Sequence, residues 1–422
     1  MGKGKKYTKI LEEISDIPMV DIHTHLDHRR LKAKDLSEII LYHYIATELA
    51  SSGMPREMLD LEDPDERVRR IIPFLRNVRN TSTFWALRRV LDLFNFNEEL
   101  NEENFSLLQA NFKNFEKNFD GIAFLKERVK VRKAFLTLQF TDTDLTFDTS
   151  FFIGSLRLEK ISKEISRESF RTLEEMFSLK VNNARGMRDA VAEVFDKFKG
   201  HISTITISLN PSEAIITDPK EGHINDAIGK IESGEEPNFE EKTALLSFVV
   251  DEFLKLIKDD GIVFQLMLGV ERPVVGASPP DYAIVANEPW QLLSLCPLFH
   301  KHKEVNFDLI SASRIQSHEL NVVAKNYRNV FVSGFWWYSY YPSIMMERTV
   351  EKLQMLPMNK WCAFFSDAYV PEWVFGKEQL VKHQLAHTLN DLVEKDYLDE
   401  ELALEVARNL LYENALNIYH LK

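Results

Sequence analysis

The sequence predicts an α/β protein whose parallel strands close into a (β/α)8 barrel. Two observations support this prediction: eight short apolar segments recur along the 422 residues, and helical patterns separate most of them. Strands that alternate with helices form parallel sheets, and eight is the number that closes such a barrel. A doubly wound open sheet is the alternative, because the same alternation builds it.

The predicted strands are short runs rich in Ile, Val, Phe or Thr. Several are almost continuously apolar, which is typical of strands buried on both faces. In order they are Pro18–His23, Phe135–Phe140, Phe151–Leu158, Ile202–Ser208, Ile262–Val270, Val305–Ile310, Asn329–Gly334 and Trp361–Ser366. Helical patterns between them include Ser317–Asn326, Pro342–Met355 and Lys377–Lys395.

The stretch between the first two strands is too long for a loop. Residues 27–132 contain no good strand and follow helical periodicity. We predict that residues 1–422 form a single barrel domain and that this stretch is a large helical insertion after strand one. Such an insertion leaves the barrel at the end where barrel enzymes carry their active sites.

The composition excludes several classes of protein. The chain has 52 Lys and Arg against 65 Asp and Glu, a net charge of −13, so nucleic acids and anionic membranes would repel it. No apolar run approaches the ~20 residues of a transmembrane helix. Two cysteines, Cys296 and Cys362, are no disulfide framework and suit a reducing compartment. We therefore expect a cytoplasmic protein without nucleic-acid or membrane partners.

The first predicted strand carries two histidines. His23 and His25 are two residues apart, and residues i and i+2 of a strand point the same way. Two imidazoles that converge at the carboxyl end of a barrel strand form half of a metal site. The alternative is a histidine pair in a turn, because such a pair also arises by chance.

An aspartate follows the last predicted strand. Asp367 ends an apolar run, and a carboxylate delivered there can bind a metal or move a proton. The alternative is that Asp367 caps the following helix. Because the first and last strands of a closed barrel are neighbours, we expect Asp367 to lie near His23 and His25.

Together with these residues, several short motifs resemble the uronate isomerase (glucuronate isomerase) family of the amidohydrolase superfamily, in particular its short, divergent bacterial members. The resemblance covers nearly the whole chain and depends on the order and spacing of the motifs. The motifs are Asp21–Leu26, Tyr42–Tyr44, Leu156–Leu158, Ser313-Arg314 with Ser317–Leu320, Gly334–Trp337 with Tyr341-Pro342, and Ser366–Ala368.

The resemblance implies a metal-dependent aldose–ketose isomerase, an intramolecular oxidoreductase of carbohydrate metabolism. Its substrate would be a small sugar acid, a hexuronate of the glucuronate or fructuronate type, and protons would move through an enediol. One divalent ion would bind His23, His25 and Asp367. Zinc is the default for such ligands, with manganese or iron as alternatives. By analogy we also expect a homo-oligomer.

The sequence indicates at most one metal. Superfamily members with two metals add ligands from strands four, five and six. Here Ile202–Ser208 contains no Lys or His, and Ile262–Val270 contains no His or acidic residue. His318 lies beyond strand six, in a helical pattern.

The resemblance further implies a set of site residues. The catalytic candidates are Asp367, Tyr44 and His43, and the substrate-binding candidates are Arg157, Arg314, Trp336, Trp337 and Tyr369. Each has an alternative: helix packing for His43 and Tyr44, core aromatics for the tryptophans, and structural ion pairs for the arginines.

One position departs from the family. Its members carry Arg two residues after the strand-eight Asp, and this chain has Tyr369. A tyrosine donates one hydrogen bond and forms no charged bidentate clamp. If that Arg holds the uronate carboxylate, its loss costs ~1.5–3 kcal/mol, which puts the substrate in question more than the fold or the metal.

Two other functions remain open. One is a different amidohydrolase-type reaction, hydrolysis or decarboxylation of another small acid, with Asp367 activating a water molecule. The other is a catalytically inactive barrel that serves as a binding protein.

Overall fold

The computed structural model describes residues 3–421, and a curved parallel sheet forms its centre. The strands in the described part are β1 (Met19–Thr24), β2 (Val131–Leu138), β3 (Phe152–Arg157), β4 (Ile202–Ser208), β5 (Val263–Leu268), β6 (Val270–Glu271), β7 (Ile284–Val285), β8 (Phe307–Ser311) and β9 (Val330–Val332). One sheet has the order β1-β2-β3-β4-β5-β8-β9 with parallel neighbours throughout, whereas β6 and β7 form a small antiparallel hairpin. The predicted α/β class with a barrel-type sheet is confirmed.

The eighth predicted strand is replaced by an extended connection. Trp361–Ser366 lies where an eighth strand would close the barrel, but it forms no ladder within the described residues. On one side, the Gly334 N–H donates to the Cys362 carbonyl (2.7 Å). On the other, the Asp367 N–H donates to the His23 carbonyl (3.0 Å). The connection therefore links β9 to β1 and completes the circle.

Other acceptors take the hydrogen bonds that a regular eighth strand would use. The Ser366 N–H donates to the Asp21 carboxylate (2.8 Å), and the Ala363 N–H donates to the Leu410 carbonyl (2.8 Å). These donors do not pair with a neighbouring strand, so the ladder is interrupted just before Asp367.

Helices surround the sheet. In chain order they are α1 (Lys3–Asp16), α2 (Leu36–Ile40), α3 (His43–Ser51), α4 (Pro64–Leu75), α5 (Ser82–Leu93), α6 (Phe105–Glu116), α7 (Gly121–Ala123), α8 (Glu159–Ser162), α9 (Arg167–Phe177), α10 (Ala184–Phe198), α11 (Glu221–Ser233), α12 (Phe239–Ile257), α13 (Pro289–Lys301), α14 (Ser317–Asn326), α15 (Pro342–Met355), α16 (Pro371–Glu394), α17 (Glu400–Arg408) and α18 (Asn414–Ile418). Among residues 3–421, no helix combines the length and the hydropathy needed to cross a membrane.

The region between β1 and β2 is helical, as predicted. It contains α2 to α7, and β2 begins at Val131, slightly before the predicted boundary at residue 132. Asp35 caps α2 by accepting the N–H groups of Ser37 and Glu38. The Trp373 indole of α16 donates to the Ile39 carbonyl (3.0 Å), which fixes α2 against the barrel. That all 422 residues form one domain stays a prediction.

A chain of polar side chains crosses the barrel interior. The hydroxyls of Ser155 and Thr206 share a hydrogen bond (2.7 Å), and Thr206 donates to the Gln265 carbonyl oxygen (2.8 Å). The Gln265 amide donates to the Tyr419 hydroxyl (2.6 Å), which donates to Asp308 (2.5 Å). All five residues are buried, and each hydrogen bond offsets the desolvation of a polar group.

Candidate metal and substrate site

Three predicted ligands converge at the carboxyl end of β1. The Asp367 Oδ1 lies 3.2 Å from His25 Nε2 and 3.7 Å from His23 Nε2. The ligand atoms of the three residues all lie within 4.8 Å of one another, and this is the one such group of three found among residues 3–421. The structure thus brings together the residues predicted from the ends of strands one and eight.

The donor set fits a metal ion. His23 is buried, and neither of its ring nitrogens has a hydrogen-bond partner among the described residues. A buried polar atom without a partner is costly, so native structures rarely keep one. A cation shared with His25 and Asp367 would give one nitrogen a partner, and two imidazoles with a carboxylate are a typical ligand set for a divalent transition metal.

The electrostatics put His23 and Asp367 in the forms that bind metals. Burial, assisted by the nearby His25, lowers the pKa of His23 to about 3, so its imidazole is neutral at neutral pH. Burial opposes the charge of Asp367, but the contact with His25 and the nearby Lys377 hold the pKa of that carboxyl well below its usual range. Neutral imidazoles and ionised carboxylates are the metal-binding states.

The buried His23 predicts a pH dependence of stability in the metal-free protein. Its pKa of about 3 in the folded state lies below the ordinary 6.5, so between these values the unfolded chain binds a proton that the folded chain excludes. The free energy of unfolding should therefore fall as the pH decreases from 6.5 towards 3, by up to about 1.4 kcal/mol per pH unit from this group.

Urea unfolding of the wild type and of His23→Gln at pH 6.5, 5.5 and 4.5 tests this expectation. The difference in unfolding free energy between the two proteins should shift in favour of the variant at low pH. Parallel profiles would contradict it.

The two oxygens of the Asp367 carboxylate face different partners. While Oδ1 faces the histidines, Oδ2 accepts from the Tyr44 hydroxyl (3.2 Å) and from the Trp336 indole N–H (3.2 Å). Tyr44 lies in the first turn of α3, and Trp336 lies just beyond β9. These neutral donors fix the carboxylate rotamer without removing its charge.

Two residues of the site have a left-handed backbone. The φ angle is +52° at Asp367 and +46° at Trp337. Such a conformation costs about 1–3 kcal/mol in a residue with a side chain, and it persists where the surroundings enforce it. Here the Asp367 N–H donates to His23, and the Tyr42 hydroxyl donates to the Asp367 carbonyl (3.0 Å). The turn directs the carboxylate toward the histidines.

His43 forms a pair with an aspartate of the β6–β7 hairpin. Its Nδ1 lies 2.9 Å from the Asp281 carboxylate, and its Nε2 is buried without a partner among the described residues. An aspartate at one ring nitrogen favours the tautomer that leaves the other as an acceptor. His43 can therefore exchange a proton through Nε2.

Arg157, at the end of β3, is held by an ion pair. Its guanidinium donates two hydrogen bonds to the Glu159 carboxylate, which also accepts the Ser208 N–H (3.0 Å). The pair is largely buried. The guanidinium is thereby rigidly placed, and its charge is matched within the protein.

A cavity of about 80 Å³ adjoins the three ligands. Tyr369 lies on its rim and stacks on His25, with ring centroids 4.8 Å apart. The lining residues are His23, His25, His43, Arg157, Met267, Arg272, Asp281, Trp336, Trp337, Asp367 and Tyr369.

Tyr44 stands just behind this cavity. It lines an adjoining smaller cavity, which also includes Trp337 and Lys377. Its hydroxyl reaches Asp367 from that side. Tyr44 thus acts on the site through the carboxylate.

The structure does not bring Arg314 to this cavity. Its side chain is 60% exposed and is paired with Glu347 of α15 (2.7 Å). Arg314 lies three residues beyond β8, where the chain has left the barrel mouth. The structure therefore places Arg314 outside the cavity, contrary to the expected position, and a role in anchoring the substrate stays a prediction.

Three charged residues of the site were missed from the sequence. Arg272 and Asp281 belong to an irregular hairpin without periodicity, so no pattern pointed to them. Lys377 is buried on α16 and faces the rings of Tyr42 and Tyr44 (5.0 and 4.5 Å). It donates to the Ser366 carbonyl, and burial lowers its pKa to about 8. The same helix carries Glu372, Glu378 and Lys382, so no signal in the sequence singled out Lys377.

Other cavities have a larger volume than the one at the candidate site. A groove of about 500 Å³ lies between the α8–α9 region and α11–α12. Within the described part of the chain, no group of three possible metal ligands converges in it. The candidate metal ligands therefore lie at the cavity beside His23, His25 and Asp367 and not in this groove.

Several solved structures match the architecture of this protein over nearly the whole chain. A uronate isomerase from Thermotoga maritima matches with a TM-score of 0.89 and 16% identity, over 98% of this chain and 97% of that one. A glucuronate isomerase from Caulobacter crescentus matches with a TM-score of 0.86 and 17% identity, over 100% and 95%. A uronate isomerase from Bacillus halodurans C-125 matches with a TM-score of 0.82 and 18% identity, over 100% and 98%.

Comparison of the sequence itself gives no match to a family model and no significant match to a curated protein. At identities of 16–18% the structural likeness establishes the fold. The resemblance expected from the motifs is thus confirmed at the level of architecture: this chain has the fold of the uronate isomerases.

Proposed function

We propose that this protein is a metal-dependent aldose–ketose isomerase of a hexuronate or a related sugar acid. The observation that carries the proposal is the convergence of His23, His25 and Asp367 at a cavity. The buried His23 has no partner for either ring nitrogen among the described residues. The fold shared with proteins described as uronate isomerases supports it. Zinc is the first choice of metal, with manganese and iron as alternatives.

When bound, a divalent ion would polarise the substrate carbonyl and stabilise negative charge on its oxygen. The protein would supply the proton transfers. Isomerisation of an aldose removes the proton on C2, forms an enediol and returns a proton to C1. The Asp367 carboxylate is the base within reach of such a substrate, and the Tyr44 hydroxyl stabilises its charged form.

Transfer of the hydroxyl protons requires a second group that can donate and accept a proton. O1 gains a proton as the enediol forms, and O2 loses one as the ketose appears. His43 is suited to this exchange, because Asp281 holds one ring nitrogen and the other has no partner in the described part of the chain. Arg157 would hold hydroxyl groups, since its orientation is fixed by Glu159.

Proton NMR in D2O tests the proposal directly. Metal-loaded protein is incubated with D-glucuronate and with D-galacturonate, and the same protein stripped by a chelator is the control. We expect the C2–H signal to disappear and the ketose to appear with the loaded protein alone. Binding of metal without any exchange on these or related sugar acids would overturn the proposal. Consumption of water or release of CO2 from another acid would favour the hydrolase or decarboxylase alternative.

The hydrogen bond from Tyr44 to Asp367 is expected to contribute to kcat. Tyr44→Phe removes the donor and keeps the ring, so kcat should fall about 10- to 100-fold, the worth of a hydrogen bond to a charged group. Steady-state kinetics would give kcat and KM.

Tyr7→Phe is the matched control, because it removes a tyrosine hydroxyl bonded to His383 outside the cavity. Its kcat should stay within a factor of two or so. Equal effects of the two substitutions would refute a specific role for Tyr44.

A further inference from the structure

Two guanidinium groups line the cavity, and they differ in what they are bound to. Arg157 donates two hydrogen bonds to Glu159, so a carboxylate of the protein already occupies its fork. The guanidinium of Arg272 makes no hydrogen bond and no ion pair with any residue in 3–421. Arg272 is thus the cation of the cavity that lacks an anionic partner.

The acidic groups of the cavity are already engaged elsewhere. Asp281 is paired with His43, and Asp367 faces His25 and accepts from two neutral donors. Tyr369, on the rim, carries no charge at neutral pH. An unpaired guanidinium in a partly enclosed site favours a planar anion that it can bind with two hydrogen bonds.

The hairpin that carries Arg272 is held in place. The Arg56 guanidinium donates to the Gly276 carbonyl (2.9 Å), and the Tyr338 hydroxyl donates to the Ala283 carbonyl (3.2 Å). Arg272 itself lies over the Trp337 ring, 6.0 Å from its centroid.

The two hydrogen bonds hold the hairpin backbone, and the Trp337 ring lies beside the guanidinium. The backbone therefore needs little ordering when an anion binds, which favours affinity.

We propose that Arg272 binds the carboxylate of the substrate. This deepens the proposed function: the acid group would lie at the hairpin side of the cavity and the reacting carbons at the Asp367 side. The class of substrate is then a sugar acid with its carboxylate at the end remote from the carbonyl. Arg157, neutralised by Glu159, would contact hydroxyls.

Calorimetry with two unreactive probes tests the assignment. D-Gluconate carries the carboxylate but no carbonyl, and D-glucitol is its neutral counterpart. Each is titrated into metal-loaded wild type, Arg272→Ala, Arg272→Lys and Arg79→Ala, the last being a surface arginine paired with Glu99. Thermal unfolding of each variant checks the fold.

We expect the wild type to prefer gluconate over glucitol and Arg272→Ala to lose about 10- to 100-fold in gluconate affinity. Glucitol binding should change little, Arg272→Lys should recover part of the loss, and Arg79→Ala should match the wild type. A wild type without preference for gluconate, or a preference that survives in Arg272→Ala, overturns the proposal.

Isomerisation of D-glucuronate, followed by NMR, separates this inference from the proposed function. An active enzyme whose KM is unchanged in Arg272→Ala refutes the role of Arg272 alone. A protein that binds gluconate through Arg272 but exchanges no C2 proton refutes isomerisation and leaves the carboxylate site standing.

Discussion

Asp367→Asn is expected to reduce kcat for hexuronate isomerisation by about 10³- to 10⁴-fold. The substitution keeps the shape of the side chain but removes the base, and a general base usually contributes about 10²- to 10⁴-fold. It also removes the negative charge that faces His23 and His25 at 3.7 and 3.2 Å, so metal affinity should fall as well. Loss of C2–H exchange in D2O and of ketose formation would be measured together on protein saturated with metal.

A matched control separates the chemistry from general damage. Asp251→Asn removes a carboxylate that is also bonded to a histidine, His302 (2.8 Å), but lies outside the cavity. It should lower thermal stability and leave kcat nearly unchanged. An Asp367→Asn protein that binds metal and retains more than about a tenth of the wild-type kcat would contradict a role as base.

His23→Ala is expected to give the second largest effect. Removing one of three ligands should leave the protein with little bound metal after dialysis, and kcat should fall by about 10³-fold or more, since a metal ion supplies several kcal/mol of charge stabilisation. Metal content by atomic emission and kcat on the same sample would test both expectations.

His318→Ala is the control for this change, because His318 is an exposed histidine paired with Glu351 (2.8 Å). It should keep the metal content of the wild type. If His23→Ala also kept it, the three residues would not form the metal site, whatever the enzyme's activity.

Most of the barrel could be predicted because its strands are unusually apolar. Val263–Leu268, for example, is buried along its whole length and contains one polar residue, Gln265, so its apolar composition predicts its burial. The connection Trp361–Ser366 has the same composition but lacks a ladder, because Asp21 and Leu410 take its N–H groups. Acceptors so distant along the chain leave no local signal.

The candidate site likewise contains residues that could be predicted from the sequence and residues that could not. His23, His25 and Asp367 were predictable because strand ends place side chains at a known edge of a barrel. Arg272 and Asp281 were missed because an irregular hairpin places them, and only the folded chain defines its path. Arg314 was misplaced for the converse reason: proximity to a strand end in the sequence does not direct a side chain inward.

The polar chain through the barrel has a consequence for synthesis of the protein. Its members come from β3, β4, β5 and β8, but Tyr419, which joins Gln265 to Asp308, is made after every strand. Leu410, which accepts the Ala363 N–H, also comes late. Domains fold as units while the ribosome adds residues in order. A nascent chain that ended before residue 409 would contain all seven strands of the main sheet, but Gln265 and Asp308 would lack the Tyr419 hydroxyl. We therefore expect the barrel to close stably only after α18 has been translated.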